Sequence, residues 1–222
     1  MAQDGDRQVQ MAMPAPAKLL TPGVVTLLAL MLAGCILYEF RPAAASLLTV
    51  TPVALFALEL WRLLTYPFVT DIFGFIGAAL VMVFLGSAME REWRTGSFLL
   101  FCAVVTVASG LVWIAAGVIF GLMCGYVWPA GAGTSALSYG LIAAFGMMNR
   151  GRRFMFFVGT MEAQHLAWLI IGIGVLMCIR TPAQMVWVSG AAVAYVYLKL
   201  LWDRSLPFTK RQPRQTGRFE DL

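Results

Sequence analysis

The sequence predicts an all-α membrane protein: a polytopic bundle of six transmembrane helices with an interfacial first loop. Three observations predict it. Hydrophobic residues make up 60% of the 222-residue chain and charged residues 12%, about half the charged share of a soluble domain. Apolar runs suited to the roughly 20-residue helix that crosses hydrocarbon recur along the chain. The basic residues also segregate. With the N-terminus on the negative side, 13 of the 16 fall on that side: Arg7, Lys18, Arg91, Arg94, Arg150, Arg152, Arg153, Lys199, Arg204, Lys210, Arg211, Arg214 and Arg218. Arg41, Arg62 and Arg180 remain for the other. Such a bias sets orientation. It places both termini on the cytoplasmic or matrix side of a multi-pass protein, in a bacterial inner or a mitochondrial inner membrane.

The elements follow in order. Residues 1–22 form an N-terminal inner-side segment in which Asp4 and Asp6 accompany Arg7 and Lys18, so no basic n-region precedes the first apolar run. "RPAAAS" at 41–46 is a weak cleavage candidate, and the first span, 23–39, is read as retained. The next stretch, "AAASLLTVTPVALFALELWRLLTYPFV", is too apolar for a solvated loop, yet Pro52, Pro67, Glu59 and Arg62 interrupt it. Irregular backbone is not viable against lipid tails, so this loop belongs at the interface or inside protein, with Trp61 and Tyr66 at headgroup depth. Further spans are placed at 72–89, 98–123, 131–148, 164–180 and 184–202. The third is overlong and is expected to tilt, or to break near Gly121 to Gly125. The fourth is rich in Gly, Ala and Ser, which lets helices approach closely. The membrane domain is thus 23–202, followed by a basic, flexible tail at 203–222 suited to anionic headgroups.

Several chemistries are excluded. Cys35, Cys102, Cys124 and Cys178 stand singly in or beside apolar runs, which gives neither a metal site nor a disulfide framework. There is no phosphate-cradling glycine loop, and the basic residues flank helices rather than forming a nucleic-acid surface. No cofactor and no nucleic-acid partner are expected; the lipid bilayer is. Glu90 and Arg94, at the inner end of the second span, are expected to pair with neighbours.

Four stretches carry a family resemblance. "ELWRLLTYPFV" contains Trp61 and Arg62; "FLGSAMEREWRTG" contains Gly86 and Glu90; "GTSALSYGLIAAFG" contains Gly133, Ser135 and Gly140; "SGAAVAYVYLKLLW" contains Gly190. Their order and spacing over residues 24–202 resemble the rhomboid superfamily of intramembrane serine proteases. The resemblance implies a nucleophile at Ser135 opening the fourth helix, a histidine base on the sixth, and oxyanion donors on the second. A serine hydroxyl needs a neighbouring base to attack, and the oxyanion needs preorganised donors. Alignment puts Gly74 and Ala78 at the donor positions and Trp187 at the base position. Glycine and alanine have no polar side chain, and the indole N–H only donates. Ala136 also replaces the family's glycine after the serine.

The sole histidine, His165, opens the fifth helix 30 residues after Ser135, on the opposite side of the membrane. It serves as base only if the last two spans are misassigned. Ser135 has a plain structural role available, since small hydroxyl residues are common at tight helix contacts and Thr134 or Ser135 suits a helix N-cap. The reading adopted is a rhomboid-like pseudoprotease, derlin-like in role. Its partners would be transmembrane helices of client proteins, bound between the second and fifth helices. An active protease using Ser135 and a structural subunit of a larger membrane complex stand as alternatives.

Overall fold

The computed structural model describes residues 20–51, 53, 57–125, 130–149, 153–156, 159–180 and 185–203. Most of the segment 1–22, the tail beyond residue 203, and Arg150 and Arg152 lie outside these residues.

Within them the protein is nearly all helical. α1 spans Pro22–Phe40, α2 Pro42–Ala45 and α3 Arg62–Thr65, the last continuing into a 3₁₀ turn at Tyr66–Phe68. α4 runs Ile72–Trp93 with a π turn at Met82–Gly86. α5 is Thr95–Cys124, α6 Ser135–Met148, α7 Ala163–Arg180 and α8 Met185–Asp203. α1, α4 and α5 are long and apolar enough to cross a membrane; α6 and the apolar stretches Ala167–Leu176 and Val188–Leu200 are shorter. The six apolar helices fall where the six apolar runs are.

Each helix buries one stripe. On α1 the buried residues are Gly23, Val24, Leu27, Met31, Gly34 and Cys35, the three-and-four spacing of one helix face. They meet Ala78, Met82 and Met89 of α4 and Phe98, Phe101 and Val105 of α5. The opposite faces keep Leu30, Ile36, Ile76, Leu80 and Leu100 exposed, which suits hydrocarbon rather than water. α6 sits inside: Ala136, Leu137, Gly140, Leu141, Ala143, Ala144 and Gly146 are all buried. Its 14 residues rise only about 21 Å at 1.5 Å per residue, short of a ~30 Å hydrocarbon core. The extended residues before it therefore lie in protein.

The contact between α6 and α8 is the tightest in the bundle. A Cβ at Gly190 would overlap the Ala136 carbonyl oxygen, and one at Gly140 would sit 2.8 Å from Val105 Cγ1 and 3.2 Å from the Gly190 oxygen. Backbones this close exclude any side chain between them.

At one end of the bundle a buried carboxylate holds α1. Glu90 accepts from the Thr21 hydroxyl at 2.5 Å, Gly23 N at 2.8 Å, Val24 N at 2.9 Å and the Thr95 hydroxyl at 2.7 Å. The first-turn N–H groups of α1 have no intrahelical partner, and a negative charge there also meets the positive end of the helix dipole. The expectation that Glu90 and Arg94 pair with neighbours is met for Glu90 alone, and by hydroxyls and amides rather than a cation.

Of the two options for the third span the unbroken helix is found, and two further details depart from the sequence reading. α5 does not break near Gly121; it continues to Cys124 and ends at Gly125, so its 30 residues reach about 45 Å and require tilt. α6 opens at Ser135, four residues after the expected start of the fourth span. A short antiparallel hairpin, β1 Arg153–Phe156 and β2 Gly159–Glu162, joins α6 to α7, with Arg153 opposite Glu162. Nothing in the sequence pattern announced it.

Candidate functional site

Ser135 is the first residue of α6, and the segment that delivers it is held by three other elements. Gly131 exchanges two backbone hydrogen bonds with Val50 of the first loop, at 2.7 and 2.9 Å. Gly133 N donates to the Tyr66 carbonyl at 3.2 Å. The Thr134 hydroxyl donates to the Gly74 carbonyl of α4 at 3.4 Å. Gly133 has φ of +110°, a left-handed conformation that only glycine adopts at small cost. Thr134 is the N-cap residue of α6, but its hydroxyl does not cap; it ties α6 to α4 instead.

The first loop is itself anchored. The Tyr66 ring is buried, and its hydroxyl lies 3.0 Å from Ser109 Oγ and donates to the Thr106 carbonyl at 3.1 Å on α5. Burial pushes the Tyr66 hydroxyl up to about 12, with the Ser109 contact pulling weakly the other way. Arg62 pairs with Glu59 at 2.5 Å and donates to the carbonyls of Ser46 and Thr49 at 3.1 and 3.2 Å. Its neighbour Trp61 is 57% exposed, with Leu58, Leu60 and Leu64 exposed around it. The tryptophan and arginine thus divide their work: one faces outward with an apolar surface, the other closes the loop on itself.

Ser135 is half-buried, and no described residue hydrogen-bonds its hydroxyl. The positions at which the resemblance expects donors, Gly74 and Ala78, both lie on α4. Asp71 caps α4 there, accepting from Gly74 N at 3.1 Å. A Cβ at Gly74 would overlap Thr70 Oγ1 and sit 2.7 Å from Asp71 Oδ1, so the place of a side chain is already taken. Ala78 is buried in the main core.

Trp187 lies on α8 one helical turn before Gly190, whose backbone touches Ala136, the residue after Ser135. Its side chain lies outside the described residues.

His165 is exposed near the start of α7, and its distance from Ser135 follows from packing. The Tyr139 ring lies against Gly174, 2.7 Å from where a Cβ would be, so these residues share a level. Ala143, Gly146 and Met147 line one cleft with Ala167, Trp168 and Ile171, so α6 and α7 run antiparallel. His165 is nine residues from that level and Ser135 four residues in the other direction. At 1.5 Å per residue the two are about 20 Å apart along the axis. A general base works at roughly 3 Å.

Sequence reasoning missed two groups that organise this region: Thr134 as a tie to α4 and Tyr66 as the pillar of the first loop. Both were seen only as a cap candidate and an interfacial aromatic. Their partners, Gly74 and Ser109, are 60 and 43 residues distant, and no local pattern signals such pairs.

A family model described as eukaryotic integral membrane protein (DUF1751) matches residues 23–212 of the chain. No curated protein matches it.

Proposed function

The chain belongs to the eukaryotic integral membrane protein family (DUF1751), and from that premise we propose that it is a rhomboid-like protein without protease activity that binds transmembrane segments of other proteins. The observation that carries this reading is the isolation of Ser135. Its hydroxyl has no partner among the described residues, the expected donor positions are Gly74 and Ala78, and His165 is about 20 Å away by helix rise. A serine without a base is a poor nucleophile.

Binding is supported by the packing of α7. It is flanked by two apolar clefts, one of about 320 Å³ against α6 and α8 and one of about 520 Å³ against α5 and α8. Exposed Trp168, Leu169, Ile173 and Leu176 on α7, and Ile72, Phe73, Ile76 and Leu80 on α4, offer apolar surface on either side of the buried α6. A client helix would enter between α4 and α7, beneath the first loop.

The test has two readouts on the full-length protein in proteoliposomes. A fluorophosphonate probe should leave Ser135 unlabelled, and co-reconstituted single-pass proteins should stay uncut. A photo-crosslinker at Phe73 or Trp168 should capture transmembrane segments in native membranes. Cleavage abolished by Ser135→Ala would make the protein a protease. A fixed 1:1 recovery with one partner would make it a subunit of a complex.

A further inference from the structure

A second site lies at the end of the bundle away from Ser135. Thr21, Pro22, Glu90, Arg91, Arg94, Thr95 and Gly96 line a cleft of about 420 Å³. It differs from the two clefts beside α7 in being lined by charged and hydroxyl side chains as well as apolar atoms. Its depth follows from the helices that form it: α1 begins at Pro22, α4 ends at Trp93 and α5 begins at Thr95. Three membrane-length helices terminate around it, which puts it at the level of lipid headgroups.

The charges in the cleft are unequally engaged. Both oxygens of Glu90 are committed to Thr21, Gly23, Val24 and Thr95. Arg91 and Arg94 are exposed, and among the described residues neither forms an ion pair. Two guanidinium groups three residues apart, one on the last turn of α4 and one in the joint to α5, thus border a cleft whose one carboxylate is already satisfied. Guanidinium forks match the oxygens of phosphate esters in shape as well as charge. At headgroup depth, phosphate is the abundant anion.

We propose that this cleft binds an anionic phosphate group, with Arg91 and Arg94 as its ligands. The group is carried by an anionic phospholipid or by a soluble phosphate. The joint is suited to report such binding, because it connects the two helices that Glu90 ties to α1.

The experiment uses the full-length protein in dodecyl maltoside micelles. Its thermal midpoint is followed against dioleoyl phosphatidylglycerol, dioleoyl phosphatidylcholine and inorganic phosphate. The expected result is a saturable rise with an anionic phosphate. Half-saturation should move by on the order of tenfold in Arg91→Gln/Arg94→Gly, while Arg41→Gln, at the far end of α1, keeps the wild-type response. A rise with phosphatidylglycerol alone assigns the group to lipid; an equal rise with inorganic phosphate assigns it to a soluble source. Arg94→Gly alone guards against misfolding, since Arg94 has φ of +68°, which glycine accepts more readily. The proposal is overturned if no anionic phosphate raises the midpoint, if the double variant responds like wild type, or if Arg41→Gln loses as much.

Discussion

Single side chains hold this bundle together through backbone groups, and their replacements should show it. Glu90 is 3% exposed and faces four donors. Glu90→Gln keeps the shape but turns an amide N–H₂ toward those donors, while Glu90→Ala leaves them all unpaired. Either should cost about 3 kcal/mol, the range for buried hydrogen bonds to a charged group, read as loss of the folded fraction in a dodecyl-sulfate titration. Gly190→Ala should cost about 1–3 kcal/mol by overpacking, because its methyl group would meet the Ala136 carbonyl. Tyr66 gives a pH signature. Burial raises its hydroxyl from 10.0 to about 12, so the folded state keeps a proton that the unfolded chain loses. Its contribution is complete below pH 10 and declines between pH 10 and 12 as the unfolded state ionises. Alkaline unfolding should therefore steepen above pH 10, and Tyr66→Phe should remove that part of the decline.

The helices themselves were largely legible, because the bilayer imposes a length and a composition that few other environments require. The runs at 23–39 and 164–180 became Pro22–Phe40 and Ala163–Arg180. The segments between them were less so. "GAGT" reads as the beginning of a small-residue helix, but Gly131 and Gly133 are claimed by Val50 and Tyr66, and α6 must wait for Ser135. Strand pairing with a loop 81 residues away, from Val50 to Gly131, leaves no trace in local periodicity. The candidate site was less legible: the ties from Thr134 to Gly74 and from Tyr66 to Ser109 cannot be read from residue identity. The entry to α6 is testable as an element. Gly133→Ala forces a side chain into φ of +110°, which should cost about 1–3 kcal/mol and loosen the first loop, seen as faster proteolysis between α1 and α4. The joint between α4 and α5 should respond in the opposite direction. Arg94→Gly relieves a positive φ and should stabilise the protein by about 0.5–1 kcal/mol, read as a higher thermal midpoint in lipid-free micelles.

At the scale of the molecule, the helix contacts constrain how the chain crosses the membrane. Glu90 joins the start of α1 to the end of α4 and the start of α5, so these three lie at one end. Gly133 and Thr134 join the start of α6 to the first loop and the start of α4 at the other. Antiparallel packing returns α7 to the Glu90 end at its own start, and the Ala136–Gly190 contact puts the start of α8 beside the start of α6. Following the chain through these contacts brings residue 20 and residue 203 to the same end, whichever face of the membrane that is. The same end receives Arg91, Arg94 and Lys199, and the opposite end Arg41, Arg62 and Arg180. Contacts and charge bias are independent: the first depends on packing, the second on interaction with the insertion machinery and headgroups. Both bring residues 20 and 203 to one end of the bundle. Single cysteines introduced at Ala2 and at Asp221, in a chain with its four native cysteines changed to alanine, should both react with a membrane-impermeant maleimide from one side of sealed vesicles and neither from the other. A cysteine at Leu47 in the first loop should show the reverse. Labelling of the two ends from opposite faces would require an odd number of crossings, and with it either a seventh span or the loss of one, the same rearrangement that would be needed to bring His165 to Ser135.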